Sequence, residues 1–239
     1  NDAGSTLSIN LTKLDKDLNL VASRAMVTAE IGNITRLASD GSNVFACNDA
    51  GGSAAPKIVK YDANLVPVST FAYTNSNTPH SQNCDSLALN PSGEVYAVFS
   101  STDSNPNVLP TRRLLTISAA LSTALQDLDL GQTLAPGQPA LAFNALYLFM
   151  VAASTSADAM YVRKFTSGGG YMGFSTTFTA TAGPFPYVDI AAGSDGDVYA
   201  VGGSTGLGLR RISDSLAQIS SASVGGTAVF FKDVANVYV

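Results

Sequence analysis

An aliphatic residue followed by an aromatic one recurs along this chain at a spacing of about 48 residues. The copies are Val44-Phe45, Val95-Tyr96, Leu146-Tyr147, Val198-Tyr199 and Val237-Tyr238. Aromatic residues are only 8% of the chain, so five aligned ones are not a chance pattern. A turn-like stretch precedes each pair: Ser39-Asp40-Gly41-Ser42-Asn43, Asn90-Pro91-Ser92-Gly93, Asn144-Ala145, Ser194-Asp195-Gly196-Asp197 and Asp233-Val234-Ala235-Asn236. Asp, Asn, Gly and Pro suit tight hairpin turns, because they reach positive φ, pre-set φ or bond their own backbone. A short apolar segment stands before each turn, as in Leu87-Ala88-Leu89 and Ile190-Ala191-Ala192. Each unit therefore opens as strand, tight turn, strand.

A second landmark follows at a similar spacing. It reads apolar, then Asp, Ser or Thr, two variable residues, then Leu or Gly. The copies are Leu14-Asp15-Lys16-Asp17-Leu18, Tyr61-Asp62-Ala63-Asn64-Leu65, Ile117-Ser118-Ala119-Ala120-Leu121, Phe165-Thr166-Ser167-Gly168-Gly169 and Ile212-Ser213-Asp214-Ser215-Leu216. Lys60, Arg163 and Arg211 stand shortly before it. The short side-chain oxygens suit a turn between a third and a fourth strand, since they bond backbone N–H groups two residues on.

Four strands per unit in five units resembles the β-propeller fold at large, over almost the whole chain. The chain has no Trp, so the Trp-Asp signature of one common propeller repeat is absent. No particular propeller family is matched. The resemblance implies an all-β, five-bladed β-propeller of four-stranded antiparallel blades in a single domain over 1–239. Four blades are expected over 34–72, 84–128, 137–180 and 186–222. The fifth is shared by the chain ends, 227–239 plus 5–26. The C-terminal segment supplies an inner strand and a second strand, and the N-terminal segment a third and a fourth. Asn48-Asp49-Ala50-Gly51 follows the landmark pair of one unit, and the chain begins Asn1-Asp2-Ala3-Gly4. Running from the last residue to the first thus reproduces an ordinary second-to-third-strand connection. The ends pair within one chain or, as in strand donation, between chains.

Composition removes several function classes. The chain of 239 residues is 46% hydrophobic and 13% charged, with a net charge of −5. A disordered chain has the opposite profile. No excess of Lys and Arg is present to neutralise phosphates, so no nucleic-acid partner is expected. The 21 Gly and 10 Pro exclude a long coiled coil. The most apolar run, 140–153, is too short to span a bilayer and carries Asn144, so it reads as two strands and a turn.

Compartment follows from three features. The sequence starts at Asn1, consistent with a removed leader. Sequons stand at Asn10 and Asn33, and there is one pair of cysteines, Cys47 and Cys84. A secreted or cell-surface protein is expected, with both sequons as glycosylation candidates. Cys47 ends a second strand and Cys84 begins the next unit's first strand. The propeller reading puts them on one face, where a disulfide is geometrically reasonable.

Loops after strand two and before strand one share that face. Candidate ligand contacts there are Arg36, Asp49, His80, Asp85 and Asp189. Some five-bladed propellers are glycosidases, which need a spaced carboxylate pair. Asp85 and Asp189 begin inner strands but are offset by one position, which turns them to opposite faces. The single His excludes most triad and metal chemistry. Asp40-Gly41-Ser42-Asn43 and Ser194-Asp195-Gly196-Asp197 resemble fragments of calcium loops, but fit hairpin turns without an ion. Arg112-Arg113 and Arg210-Arg211 read as solvated rims or strand ends. No cofactor and no catalytic residues are expected. The expected function is non-enzymatic: an extracellular structural, adhesive or interaction protein that self-associates or binds other extracellular proteins. The alternative is a lectin-like glycan-binding propeller, and a propeller glycosidase ranks behind both.

Overall fold

The computed structural model describes residues 9–26, 33–49, 55–74, 81–102, 111–131, 139–153, 159–175, 178–179, 187–193, 195–203, 207–224, 230–233 and 236–238. Those residues are all-β, with no helix among them. The chain opens with the hairpin β1 (Ile9–Leu14) and β2 (Leu20–Met26). Blade one is β3 (Asn33–Ser39), β4 (Val44–Asp49), β5 (Lys57–Tyr61) and β6 (Pro67–Ala72). Blade two is β7 (Ser81–Leu89), β8 (Val95–Thr102), β9 (Thr111–Ile117) and β10 (Ala124–Asp129). Blade three is β11 (Ala140–Phe143), β12 (Tyr147–Ala153), β13 (Ala159–Thr166) and β14 (Tyr171–Phe174), with the short β15 (Phe178–Thr179) also on β13. Blade four is β16 (Tyr187–Ala192), β17 (Val198–Gly203), β18 (Leu207–Ile212) and β19 (Gln218–Val224). The chain ends with the hairpin β20 (Phe230–Asp233) and β21 (Asn236–Tyr238). Each blade is an antiparallel meander, and the two terminal hairpins complete the strand set of a five-bladed, propeller-like fold.

The landmark pair explains how blades stack. Neighbouring residues on a strand point to opposite faces. Phe45 of blade one packs with Val95 of blade two. Tyr96 of blade two packs with Leu148 of blade three, and Phe149 of blade three with Val198 of blade four. The aromatic of each blade thus meets the aliphatic of the next. This corrects the sequence reading of the third copy, which is Leu148-Phe149 and not Leu146-Tyr147. Leu148 lies opposite Phe165, as Val44 lies opposite Tyr61 and Val95 opposite Ile117. Leu146 sits in the turn and is 65% exposed. Asn144 closes that turn with its side chain, accepting from the N–H groups of Leu146 and Tyr147.

The second landmark is a hairpin loop of three residues in four copies and of four residues in blade two, where the Ser118 N–H donates to the Thr123 carbonyl. The side-chain oxygens of Asp15, Asp62, Ser118, Thr166 and Ser213 each accept a backbone N–H four residues on. The last landmark residue then takes positive φ: Leu18 (65°), Leu65 (62°), Leu121 (57°), Gly169 (83°) and Leu216 (67°). This geometry is a type I turn closed by a left-handed residue. Leucine there costs about 1 kcal/mol or more relative to glycine. Burial offsets the cost at Leu65 and Leu121, which lie in the faces turned to the preceding hairpin or blade. Leu65→Gly is therefore expected to destabilise the fold by about 2 kcal/mol in chemical denaturation, because lost packing exceeds relieved strain.

A carbonyl in each of four such turns receives a latch from the preceding unit. Lys13 Nζ donates to the Ala63 carbonyl (3.4 Å), Lys60 Nζ to that of Ala119 (3.3 Å) and Lys164 Nζ to that of Asp214 (2.8 Å). In blade two the Tyr96 hydroxyl does this, reaching the Ser167 carbonyl. The β1–β2 hairpin therefore stands to blade one as blade one stands to blade two. Its Leu11 packs with Val59, Tyr61 and Leu65 of blade one. On its other face Leu14, Leu18 and Leu20 are 49%, 77% and 66% exposed. The counterparts of Leu14 and Leu18 in blade one, Tyr61 and Leu65, are buried, and that of Leu20, Pro67, is exposed.

Candidate functional site

Most of the sequence-selected residues gather at one end of the first two blades. Blade one joins blade two there by a ladder contact between Asp49 and Asn83, making one eight-stranded sheet. The Cys47–Cys84 disulfide crosses the same junction, with Cα atoms 5.9 Å apart. Both cysteines are fully buried among Phe45, Tyr73 and Phe99. Tyr73 stacks on Phe99 at 4.5 Å between ring centroids. Two inner strands carry a β-bulge at the same level, at Thr35 in β3 and at Asp85 in β7. A bulge adds one residue and re-aims a side chain. The offset between Asp85 and Asp189 noticed in the sequence is this extra residue: Ser86 lies opposite Val98 as Asp189 lies opposite Val201.

Three adjacent strands then build a buried polar cluster. Asp85 is on β7, Ser100 on β8 and Arg112 on β9, and Ser100 lies directly opposite Arg112. The Ser100 hydroxyl donates to Asp85 Oδ1 at 3.0 Å. Arg112 Nε stands 3.6 Å from Asp85 Oδ2. Asp85 is 4% exposed and Arg112 5%. Burial pushes the Asp85 carboxyl up to about 6, against the opposing pull of Arg112, Ser100 and the charge of Arg36. Burial likewise draws the Arg112 guanidinium down. The reading of Arg112 as a solvated rim residue is thus corrected. Its position in β9 alternates with Arg113, which turns outward to Asp127 and Asp129. Arg211 lies near the surface and pairs with Asp195 and Asp197.

The other candidates are distributed differently. Arg36 lies opposite Cys47 in β3 and belongs to the clasped end. Asp189 is in blade four, where its Oδ1 accepts the N–H of Ile190 at 2.9 Å. His80 lies outside the described residues. Asn10 is exposed on β1, and Asn33 begins β3 opposite Asp49. Among the described residues no group of three His, Cys, Asp or Glu side chains could hold a metal. The two acidic turns are hairpin turns: Asp40 Oδ1 accepts from Ser42 and Asn43, and Asp195 Oδ1 from Asp197. One carboxylate held between a serine and an arginine can anchor strands or hold a proton. Glycoside hydrolysis needs a second carboxylate across a substrate cleft; beside Asp85 lie the Ser100 hydroxyl and the Arg112 guanidinium, and the charge of Arg36 acts on it.

No family model matches the chain, and no curated protein matches it. Solved structures do. The chain is similar to a complex of KlAtg21 with the coiled-coil of AgAtg16, at 12% identity and a TM-score of 0.56, over 94% of this chain and 66% of that one. It is similar to a chimera of ACO and RPE65, at 11% identity and a TM-score of 0.52, over 92% and 56%. A protein of unknown function from Bacteroides caccae matches at 12% identity and a TM-score of 0.49, over 80% and 62%. The chain thus spans between 56% and 66% of the length of these proteins. Propeller folds are among such structures, and the likeness supports an all-β, propeller-like architecture for this chain.

Proposed function

We propose that this chain folds as a five-bladed propeller whose fifth blade is built from a β20–β21 hairpin and a β1–β2 hairpin, and that it serves as a non-enzymatic, self-assembling structural protein outside the cell. The observation that carries this reading is the β1–β2 hairpin. It holds Leu14 and Leu18 49% and 77% exposed, where blades one and two bury the equivalent residues, Tyr61 and Leu65 and then Ile117 and Leu121, against a neighbour. Apolar side chains grouped on one exposed face mark an interaction surface. The low charge leaves little electrostatic repulsion between copies. A buried disulfide suits an oxidising compartment, and the Asn10 sequon side chain is exposed on β1.

Light scattering on the native, non-reduced protein tests the proposal. Assemblies well above the 24.6 kDa chain mass are expected. Leu18→Glu should shrink them, since it places a charge on the uncovered face at a residue that is 77% exposed. A wild-type particle of single-chain mass at all concentrations sinks the self-assembly reading.

A further inference from the structure

We infer that the assembling partner is a second copy of this chain, and that its β20–β21 hairpin seats beside β1 of the first copy; the inference rests on the self-assembly reading above. Between β1 and blade one runs a groove of about 350 Å³, lined by Leu11, Leu14, Leu37, Ala38, Val44 and Leu65 among others. In blades one, three and four the landmark aromatic lies under a cation directly opposite on the next strand. The pairs are Phe45 with Lys60 (5.3 Å), Phe149 with Lys164 (5.8 Å) and Tyr199 with Arg211 (5.8 Å). Such contacts are attractive because the ring face is electron-rich. β1 presents Lys13 at that position, immediately before Leu14-Asp15, as Lys60 stands before Tyr61-Asp62. The landmark pair that remains is Val237-Tyr238 on β21.

The repeat therefore gives the register. Val44 lies opposite Tyr61 and Phe45 opposite Lys60. By the same rule Val237 falls opposite Leu14, and Tyr238 opposite Lys13. Each landmark aromatic also packs on the aliphatic of the following blade. Tyr238 would then meet Val44, which lines the groove.

The geometry favours pairing between copies. β20 lies against β16 of blade four, and β1–β2 is packed and latched onto blade one. Among the described residues the two hairpins are separate two-stranded sheets. In blade one the counterparts of Leu14 and Leu18 are buried against the preceding unit, whereas the chain's own blade four leaves Leu14 and Leu18 exposed; blade four of a second copy, carrying its β20–β21, would cover them, as in domain swapping. The β21 strand is three residues long, so it gives a short ladder that exchanges readily. Repeated head to tail, the contact yields a closed ring or an open filament according to the rotation between copies.

Mixing two variants that each carry one added cysteine tests this. Lys13→Cys and Tyr238→Cys, expressed separately as full chains with the native disulfide intact, are combined and oxidised mildly. A disulfide-linked species of twice the chain mass, absent from either variant alone, is expected. Leu14→Cys with Val237→Cys tests the same register at the adjacent position. If the Lys13→Cys/Tyr238→Cys double variant links only within one chain and the mixtures give no dimer, the pairing is internal and the inference falls. If scattering shows assemblies but neither mixture links, self-assembly survives on another surface and this contact is wrong. A single-chain particle overturns both.

Discussion

Replacing Cys47 and Cys84 together by alanine is expected to lower the unfolding free energy by about 4 kcal/mol, the chain-entropy value for a loop of this length. The bond closes a segment with a sequence separation of 37 residues. It also joins two blades whose ladder contact at this end, among the described residues, is the pair Asp49–Asn83. In a protein of this size such a loss corresponds to roughly 10 °C in melting temperature. Differential scanning calorimetry of the double variant checks this, with the wild type in reductant as a second comparison. A shift of only a degree or two would mean that packing of Phe45, Tyr73 and Phe99 holds the junction without the bond.

The second large effect concerns Arg112. Its guanidinium stands 3.6 Å from a carboxylate that is almost entirely buried. Arg112→Met keeps much of the volume and removes the charge. The expected cost is about 3–5 kcal/mol near neutral pH, the usual result of leaving one member of a buried pair alone. The cost should depend on pH with a defined sign. Asp85's carboxyl is raised from 3.8 to about 6 in the folded chain. A group raised on folding lends stability that is fully present below its unfolded value and disappears as pH rises through the folded one. Removing Arg112 removes an opposing, pKa-lowering influence, so the folded value climbs further. The variant's deficit should therefore be smaller at pH 5, where Asp85 is protonated in both proteins, than at pH 8. Chemical denaturation at the two pH values measures it. Equal deficits at both would show that the arginine acts through packing of its stem and not through charge.

Much of the fold was legible because turn chemistry is local. Asp15, Asp62, Ser118, Thr166 and Ser213 close their turns through their own backbone neighbourhood, and nothing distant is needed to recognise them. The third landmark pair was misplaced for an equally local reason. Leu146-Tyr147 and Leu148-Phe149 are both aliphatic–aromatic, and the turn at Asn144-Ala145 has no glycine to mark its length. Only the ladder from Leu148 to Phe165 decides between them. The clasped end was half legible. A pair of cysteines at the ends of adjacent strands can be proposed from order along the chain. A buried Arg112 cannot, because Thr111-Arg112-Arg113-Leu114 reads equally well as a solvated strand end.

The sequence by itself determined the repeat, the positions of most strands and turns, and which two cysteines could meet. Those follow from backbone propensities and short-range hydrogen bonds, which depend on neighbours in the chain. The tertiary structure decided the rest. It placed the bulge that carries Asp85 and buried Arg112 beside it. It set Lys13, Lys60 and Lys164 on the turn carbonyls of the following unit, and it left Leu14, Leu18 and Leu20 uncovered. These are contacts between strands or blades far apart in sequence. Their energies come from desolvation and packing, which exist only once the blades have met.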